Sequence, residues 1–268
     1  MSVFQNKIVV ITGGSDGIGK ALVDAFLSLG AKVATCGRNY DKLYQLQAAH
    51  PGKPLVIHAA DVSKEQECDL FIEKVIKNFS TIDILINNAG VSMRALLQDV
   101  ELEALRKVMD INFWGTVYCT KFALPYITAN KGTIVGVSSI AGFRGLPGRS
   151  GYSASKFAVN GWLEAVRTEL LDSGVNVMWV CPGFTASNIR VAALNSKGES
   201  HGETSMDEGK MMTSEACAQH IITSIEKRKR TLVLTATGKR TVFMNKFFPS
   251  LADKLTRNYF YKNGELVK

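Results

Sequence analysis

Seven short, almost wholly apolar runs recur along this 268-residue chain, and they constrain its fold more than any other feature. They are Lys7–Thr12, Lys32–Cys36, Pro54–Ala60, Ile82–Ile86, Gly132–Val137, Val175–Val180 and Thr231–Thr235. Most lack the polar alternation of a strand wetted on one face, so each predicts a strand covered on both. The segments between them, Gly17–Leu29, Tyr40–Ala49, Lys64–Phe79, Glu101–Thr128, Tyr152–Ser173 and Thr213–Lys227, are amphipathic and predict helices. Strict alternation demands right-handed crossovers, and the expected architecture is α/β: one doubly wound, seven-stranded parallel sheet. No break in composition marks a second domain. The expectation is a single domain over residues 1–237, with 238–268 as a C-terminal extension of it.

Two regions fall outside this rhythm. Within 184–212 a helix-like patch, Ser187–Leu194, precedes the polar stretch Asn195–Lys210, which is expected to be either a lid over a site or disordered. The segment Gly238–Lys268 mixes Lys and Arg with Val242, Phe243, Phe247, Phe248, Leu251, Leu255, Tyr259 and Phe260, as in an amphipathic helix. Eleven Lys/Arg face three Asp/Glu between Gln219 and Lys268, which accounts for the whole net charge of +8. The balanced main body therefore points away from nucleic acid. The basic end is expected either to pack on the domain or a second subunit, or to make peripheral contact with an anionic membrane or an acidic carrier.

No run reaches the roughly 18 apolar residues of a membrane helix, and nothing before Ile8 has the layout of a signal peptide. A cytoplasmic location is expected. Five scattered cysteines without a C-x-x-C pair predict free, mostly buried thiols, and no spacing of His, Cys, Asp and Glu predicts a metal site.

The first strand runs directly into Thr12–Gly19, TGGSDGIG, which opens a helix. Gly13 suits a tight turn, Gly17 a close approach of backbone to pyrophosphate, and Gly19 close helix–strand packing; the helix N-terminus then offers N–H groups to phosphate.

Further motifs follow: Asn87–Gly90 (NNAG), Ser139 thirteen residues before the Tyr152–Lys156 pair of Y-x-x-x-K, and Pro182–Gly183. In that order and spacing, over residues 7 to about 185, the chain resembles the short-chain dehydrogenase/reductase family. The resemblance implies a Rossmann-type sheet and hydride transfer between a nicotinamide cofactor and a carbonyl or alcohol. It further implies that Asn112, in the DIN segment, orders a water leading to Lys156. Asp61 and Val62 would lie against adenine, and Ser15, Asp16, Ile18, Asn88, Ala89, Gly90, Pro182, Gly183 and Thr185 along the rest of the cofactor. The substrate would meet Ser92, Met93, Ile140, Phe143 and Phe184, a largely apolar set that favours a hydrophobic substrate.

The chemistry explains the residue types. Reducing a ketone needs a proton for the developing alkoxide, and a phenol titrating near 10 is a poor donor at neutrality. Lys156, one turn beyond Tyr152, is expected to favour the tyrosinate and bring Tyr152 toward working pH. Ser139 can bond the substrate oxygen; Ser138 is an alternative partner, although the offset favours Ser139.

Cofactor choice turns on the end of the second strand. Gly37 stands where an acidic residue would bind both ribose hydroxyls, and Arg38–Asn39 follow, which predicts NADP(H) over NAD(H). Asp16 runs against this if its carboxylate points at the 2′-phosphate.

The ALNSKG segment and the polar stretch after Pro182–Gly183 resemble the branch that includes 11β-hydroxysteroid dehydrogenase and dehydrogenase/reductase member 7B. A lipid-, steroid- or acyl-like ketone and a homodimer or homotetramer through Glu101–Thr128 and Tyr152–Ser173 are what that resemblance implies. A 3-oxoacyl-carrier-protein reductase is the competing assignment, and a non-catalytic NADP(H) sensor a remote one.

Overall fold

The structure is a computed structural model describing residues 2–202, 209 and 211–267. Its first half runs β1 (Ile8–Thr12), α1 (Gly17–Ser28), β2 (Lys32–Gly37), α2 (Tyr40–Ala48), β3 (Leu55–Ala59), α3 (Glu65–Phe79) and β4 (Ile84–Asn87). There follow α4 (Leu102–Met109), α5 (Gly115–Ala129), β5 (Thr133–Val137), α6 (Ser150–Glu169), β6 (Asn176–Cys181), α7 (Ser214–Glu226) and β7 (Thr231–Val233).

All seven strands form one parallel sheet in the order β3-β2-β1-β4-β5-β6-β7. The predicted doubly wound, Rossmann-type sheet is therefore what this chain adopts. Period-two geometry sends Val9 and Ile11 into the core under α1, α2 and α7, while Ile8 and Val10 join the opposite core with α3, α5 and α6. Each core is apolar throughout, which is why the strand sequences do not alternate. Chain connections reverse between β1 and β4, and a crevice opens at the carboxyl ends of those strands.

Two local expectations are corrected. The single helix over Glu101–Thr128 is two, joined by a π-helical turn at Asp110–Trp114. The turn coincides with the buried side chain of Asn112, which bonds the main chain of Val91 instead of following helix periodicity. Ser187–Leu194 is a turn and not a helix, because both flanks are held by bridges, Thr185 to Met212 and Met93 to Leu194. At the start of α3 the Ser63 hydroxyl donates to Asp61, and Lys64 takes the cap position. The lid expectation at Asn195–Lys210 falls partly on 203–208 and 210, outside the described residues; Asn195 and Glu199 close a small turn ahead of it.

The C-terminal extension is a pair of helices, α8 (Ala236–Phe247) and α9 (Pro249–Phe260), and a hairpin of β8 (Tyr261–Lys262) and β9 (Glu265–Leu266). Asn263 and Gly264 turn the hairpin with φ of 51° and 84°, the positive pair that a two-residue turn of this kind needs. Leu266 then sits so close over Gly148 that a Cβ there would collide with it. The extension thus folds onto the same domain, next to the loop that leads into α6.

Candidate active site

The glycine loop is shaped by its neighbours. Gly13 has φ of 70° and lies so near Ala89 that an added Cβ would be 2.9 Å from that residue's Cα. At Gly19 a Cβ would strike the Gly13 carbonyl and the Asn88 amide. Asn88 Nδ2 donates to the carbonyls of Thr12 (3.0 Å) and Gly13 (3.1 Å), and the N–H groups of Asn88 and Ala89 both reach Thr12 Oγ1 at 3.0 Å. The NNAG segment is thereby fastened to the end of β1. Gly19 works as a packing residue behind the loop rather than on its open side.

A cavity of about 960 Å³ runs from this loop to the C-terminal extension. One end is lined by Gly13, Ser15, Gly17, Ile18, Arg38 and Asn39, with Asp61, Val62, Asn88, Ala89 and Gly90 next to them. The middle is lined by Ser139, Tyr152, Lys156, Pro182, Gly183 and Thr185. The far end holds Ser92, Ile140 and Phe184, closed by Leu255, Tyr259 and Phe260 of α9. The glycine loop on the cavity wall, the N-terminus of α1 and the basic rim at Arg38 fit a dinucleotide: backbone without side chains at Gly13 and Gly17 leaves room for a pyrophosphate to approach.

Asp16 points elsewhere than feared. Its Oδ1 accepts from Gly17 N at 2.8 Å, and its Oδ2 lies 2.8 Å from Lys42 Nζ. Partial burial opposes ionisation of Asp16, but the bonds and charge of Lys42, the Gly17 N–H and Asn188 outweigh it and hold the carboxyl below its ordinary value. Lys42 was not singled out from the sequence; a basic residue in the first turn after Arg38–Asn39 was the available signal. Asn39 caps α2 by accepting from Lys42 N at 2.9 Å, leaving Arg38 exposed at the rim. Asp61 accepts from both the N–H and the hydroxyl of Ser63.

At the centre, Lys156 is buried and its Nζ donates to Val137 O at 2.8 Å, 5.7 Å from the centre of the Tyr152 ring. Burial lowers the Lys156 ammonium to about 8. Tyr152 departs from expectation: burial raises its phenol above the ordinary value, against the lowering effects of a hydrogen bond with Ser139 and the charge of Arg149. In the protein alone, burial outweighs the nearby cations, of which Arg149 and Arg190 favour the ionised phenol. Ser139 Oγ also accepts from Ala141 N at 3.1 Å, starting a tight turn. Ser138 is buried and its hydroxyl donates to the Lys156 carbonyl at 3.3 Å, so the two serines have separate partners.

Besides Gly19, three predicted site residues lie off the cavity wall. Asn112 sits behind it, with Nδ2 donating to Val91 O (2.9 Å) and Ser155 Oγ (2.9 Å). Met93 is fully buried, because its neighbours Ser92 and Arg94 are both tied to Leu194, and it packs at Gly151. Phe143 is held back by the carbonyl bond it accepts from Asn245 Nδ2 at 2.8 Å. The contribution of α9 was not foreseen: periodicity shows that the extension is amphipathic but not which surface it covers.

Comparison with known proteins gives a consistent result. The family profile described as short chain dehydrogenase matches residues 7–197. Dehydrogenase/reductase SDR family member 7B of Rattus norvegicus is 32% identical over 276 residues, covering 97% of this chain and 85% of that protein. 11-beta-hydroxysteroid dehydrogenase A of Sesamum indicum is 32% identical over 272 residues, covering 98% and 78%. Among solved structures, a short chain dehydrogenase/reductase from Burkholderia phymatum in complex with NAD superposes with a TM-score of 0.83, at 22% identity over 94% of this chain and 96% of that one.

Proposed function

The chain belongs to the short-chain dehydrogenase/reductase family, in the branch of the 7B-like relatives, and is an oxidoreductase of alcohol and ketone groups; from that premise we propose that it is an NADP(H)-dependent enzyme interconverting a hydrophobic ketone and its secondary alcohol. The observation that carries the proposal is the convergence of Ser139, Tyr152 and Lys156 on the middle of a cavity with a phosphate cradle at one end and apolar walls at the other.

The bound nicotinamide supplies or accepts the hydride at the carbonyl carbon. Tyr152 passes its phenolic proton to the carbonyl oxygen in reduction and takes it back in oxidation. Ser139 bonds the same oxygen and so keeps it within reach of the phenol. Lys156, anchored on Val137 O, would hold the ribose of a bound cofactor through its remaining N–H groups and, when protonated, would favour the tyrosinate. Asn112 would serve Lys156 by holding the Val91 main chain, and with it the Gly90 backbone that approaches both side chains. Arg38, with Lys42 cancelling Asp16, supports preference for a 2′-phosphate.

Thermal unfolding with each cofactor is the test. A ligand at a hundredfold over its Kd stabilises by about 2.7 kcal/mol, a shift of several degrees. A shift with NADPH and little with NADH is expected; a shift with NADH alone sinks the cofactor assignment. A panel of apolar ketones followed by NADPH absorbance then tests the reaction.

Three further assignments accompany this one. Free, buried thiols support a reducing, cytoplasmic setting. Exposed Trp114 stacked on Tyr118 and exposed Phe157 support a homodimer or homotetramer through α5 and α6, to be checked by sedimentation velocity. Exposed Phe243, Phe247 and Phe248 cluster at 4.9–6.3 Å beside Lys246 and support contact of α8 with an anionic lipid surface. Liposome co-sedimentation unchanged by Phe243→Ser and Phe247→Ser would remove that last assignment.

A further inference from the structure

Arg149 lies at the start of α6, three residues before Tyr152, and lines the cavity at its substrate end. Its guanidinium stands 5.4 Å over the ring of Phe260, which α9 has brought in and which is itself buried. The charged and titratable groups that act on it are the phenols of Tyr152 and Tyr259 and the cations of Arg94 and Arg190. No carboxylate of the described residues is among them. By contrast, Arg144 on the same wall has its counter-ion, Asp253, and Arg38 and Lys42 lie at the opposite end of the cavity.

A half-buried cation among other cations is costly unless a counter-charge arrives. Burial accordingly lowers the Arg149 guanidinium from its ordinary value, and Arg94 and Arg190 push in the same direction. The cavity wall also carries apolar Ile140, Leu146 and Leu255. Side chains three apart at a helix start are close neighbours, about 5–6 Å between Cβ atoms. A group held by Arg149 is therefore within a few bonds of the carbon that Tyr152 serves.

We propose that Arg149 is a specificity residue, and that the substrate is an apolar-chain ketone or secondary alcohol bearing an acidic group, carboxylate or phosphate, close to the reacting carbon. The proposal rests on the reductase assignment for the chemistry, but its ligand preference is measurable without turnover.

The protein loaded with NADP⁺ is titrated calorimetrically with decanoate, decyl phosphate and decan-1-ol. Whichever acid matches the natural headgroup binds at least about tenfold tighter than the alcohol, as a charge-assisted bidentate pair allows. Arg149→Leu abolishes the difference, and Arg149→Lys, which keeps the charge but not the fork, retains part of it. The ranking of decanoate against decyl phosphate tells carboxylate from phosphate. Equal binding of all three ligands, binding of none, or a preference that survives both substitutions overturns the proposal. Turnover is read separately with 4-oxodecanoate and its methyl ester under NADPH. An elevated KM for the acid alone in Arg149→Leu supports the role assigned here. Equal loss of kcat on both substrates means instead that Arg149 acts through Tyr152, and overturns it. If neither ketone is reduced while the acid preference holds, the reductase assignment fails and the anion site stands.

Discussion

Lys42 Nζ lies 2.8 Å from Asp16 Oδ2, beside the glycine loop, and offsets a negative charge next to the expected phosphate site. Both side chains are about half exposed, so the pair adds little to stability, under about 1 kcal/mol. Its consequence is for binding. Lys42→Ala leaves Asp16 facing a 2′-phosphate, and NADPH affinity is expected to fall about tenfold, with NADH nearly unaffected. Fluorescence titration of both cofactors checks this. Equal losses for the two would place Lys42 at the pyrophosphate instead.

The second prediction concerns pH. The Lys156 ammonium is lowered by burial from 10.5 to about 8. Below about 8 both folded and unfolded lysine hold the proton, and the folded state bears the full cost of a buried charge. Between about 8 and 10.5 the unfolded lysine still binds the proton that the folded one has shed, so stability contributed at this site rises with pH. The thiols of Cys36, Cys181 and Cys217, raised to about 12 by burial, act oppositely above their unfolded value of 9.0. A difference measurement removes them. Wild type minus Lys156→Met, followed by urea unfolding from pH 7.5 to 10, is expected to move in favour of wild type. A flat difference would mean that Lys156 is not buried as a cation.

Asn112 offers a third. It satisfies both polar groups of Val91, accepting from the N–H at 2.8 Å and donating to the carbonyl at 2.9 Å. Asn112→Ala orphans two buried backbone groups, and a loss of about 2–4 kcal/mol is expected in urea unfolding. Asn112→Asp keeps the acceptor but buries a carboxylate against the Val91 carbonyl, so it is expected to cost at least as much as the alanine. A loss below about 1 kcal/mol for the alanine variant would show that water replaces the amide.

The same residue marks the limit of sequence reading. The five inner strands were legible because each is buried on both faces and hence continuous in its apolar character, and the partly buried edge strands β3 and β7 by their place in the strand–helix alternation. The candidate set Ser139, Tyr152 and Lys156 could be picked out because it is spaced by local geometry, the start of one turn and one face of one helix. The π-helical turn at Asn112 was not, since it follows from a bond to Val91, twenty-one residues away. Arg149 was overlooked for a similar reason: only α9 folding back gives it Phe260 and a buried setting. The hairpin after α9 had a signal, Asn263–Gly264, that went unused.

The extension leads to the last prediction. Tyr259 stacks on Phe184 with ring centres 6.1 Å apart and planes at 26°, joining α9 to the loop after β6 over the substrate end of the cavity. Tyr259 remains 41% exposed, so its removal deletes a wall rather than a core residue. Phe260 next to it is 3% exposed, and truncating it creates a true cavity, at about 3–5 kcal/mol. Tyr259→Ala is therefore expected to leave the unfolding midpoint nearly unchanged, whereas Phe260→Ala lowers it by several degrees. On an apolar ketone, Tyr259→Ala raises KM several-fold with kcat nearly intact, because the lost contact serves ground state and transition state alike. Initial rates over a ketone chain-length series decide the matter. A penalty that grows with chain length means the chain runs along α9; a uniform penalty means that Tyr259 only closes the mouth; no penalty means that the substrate never reaches the extension.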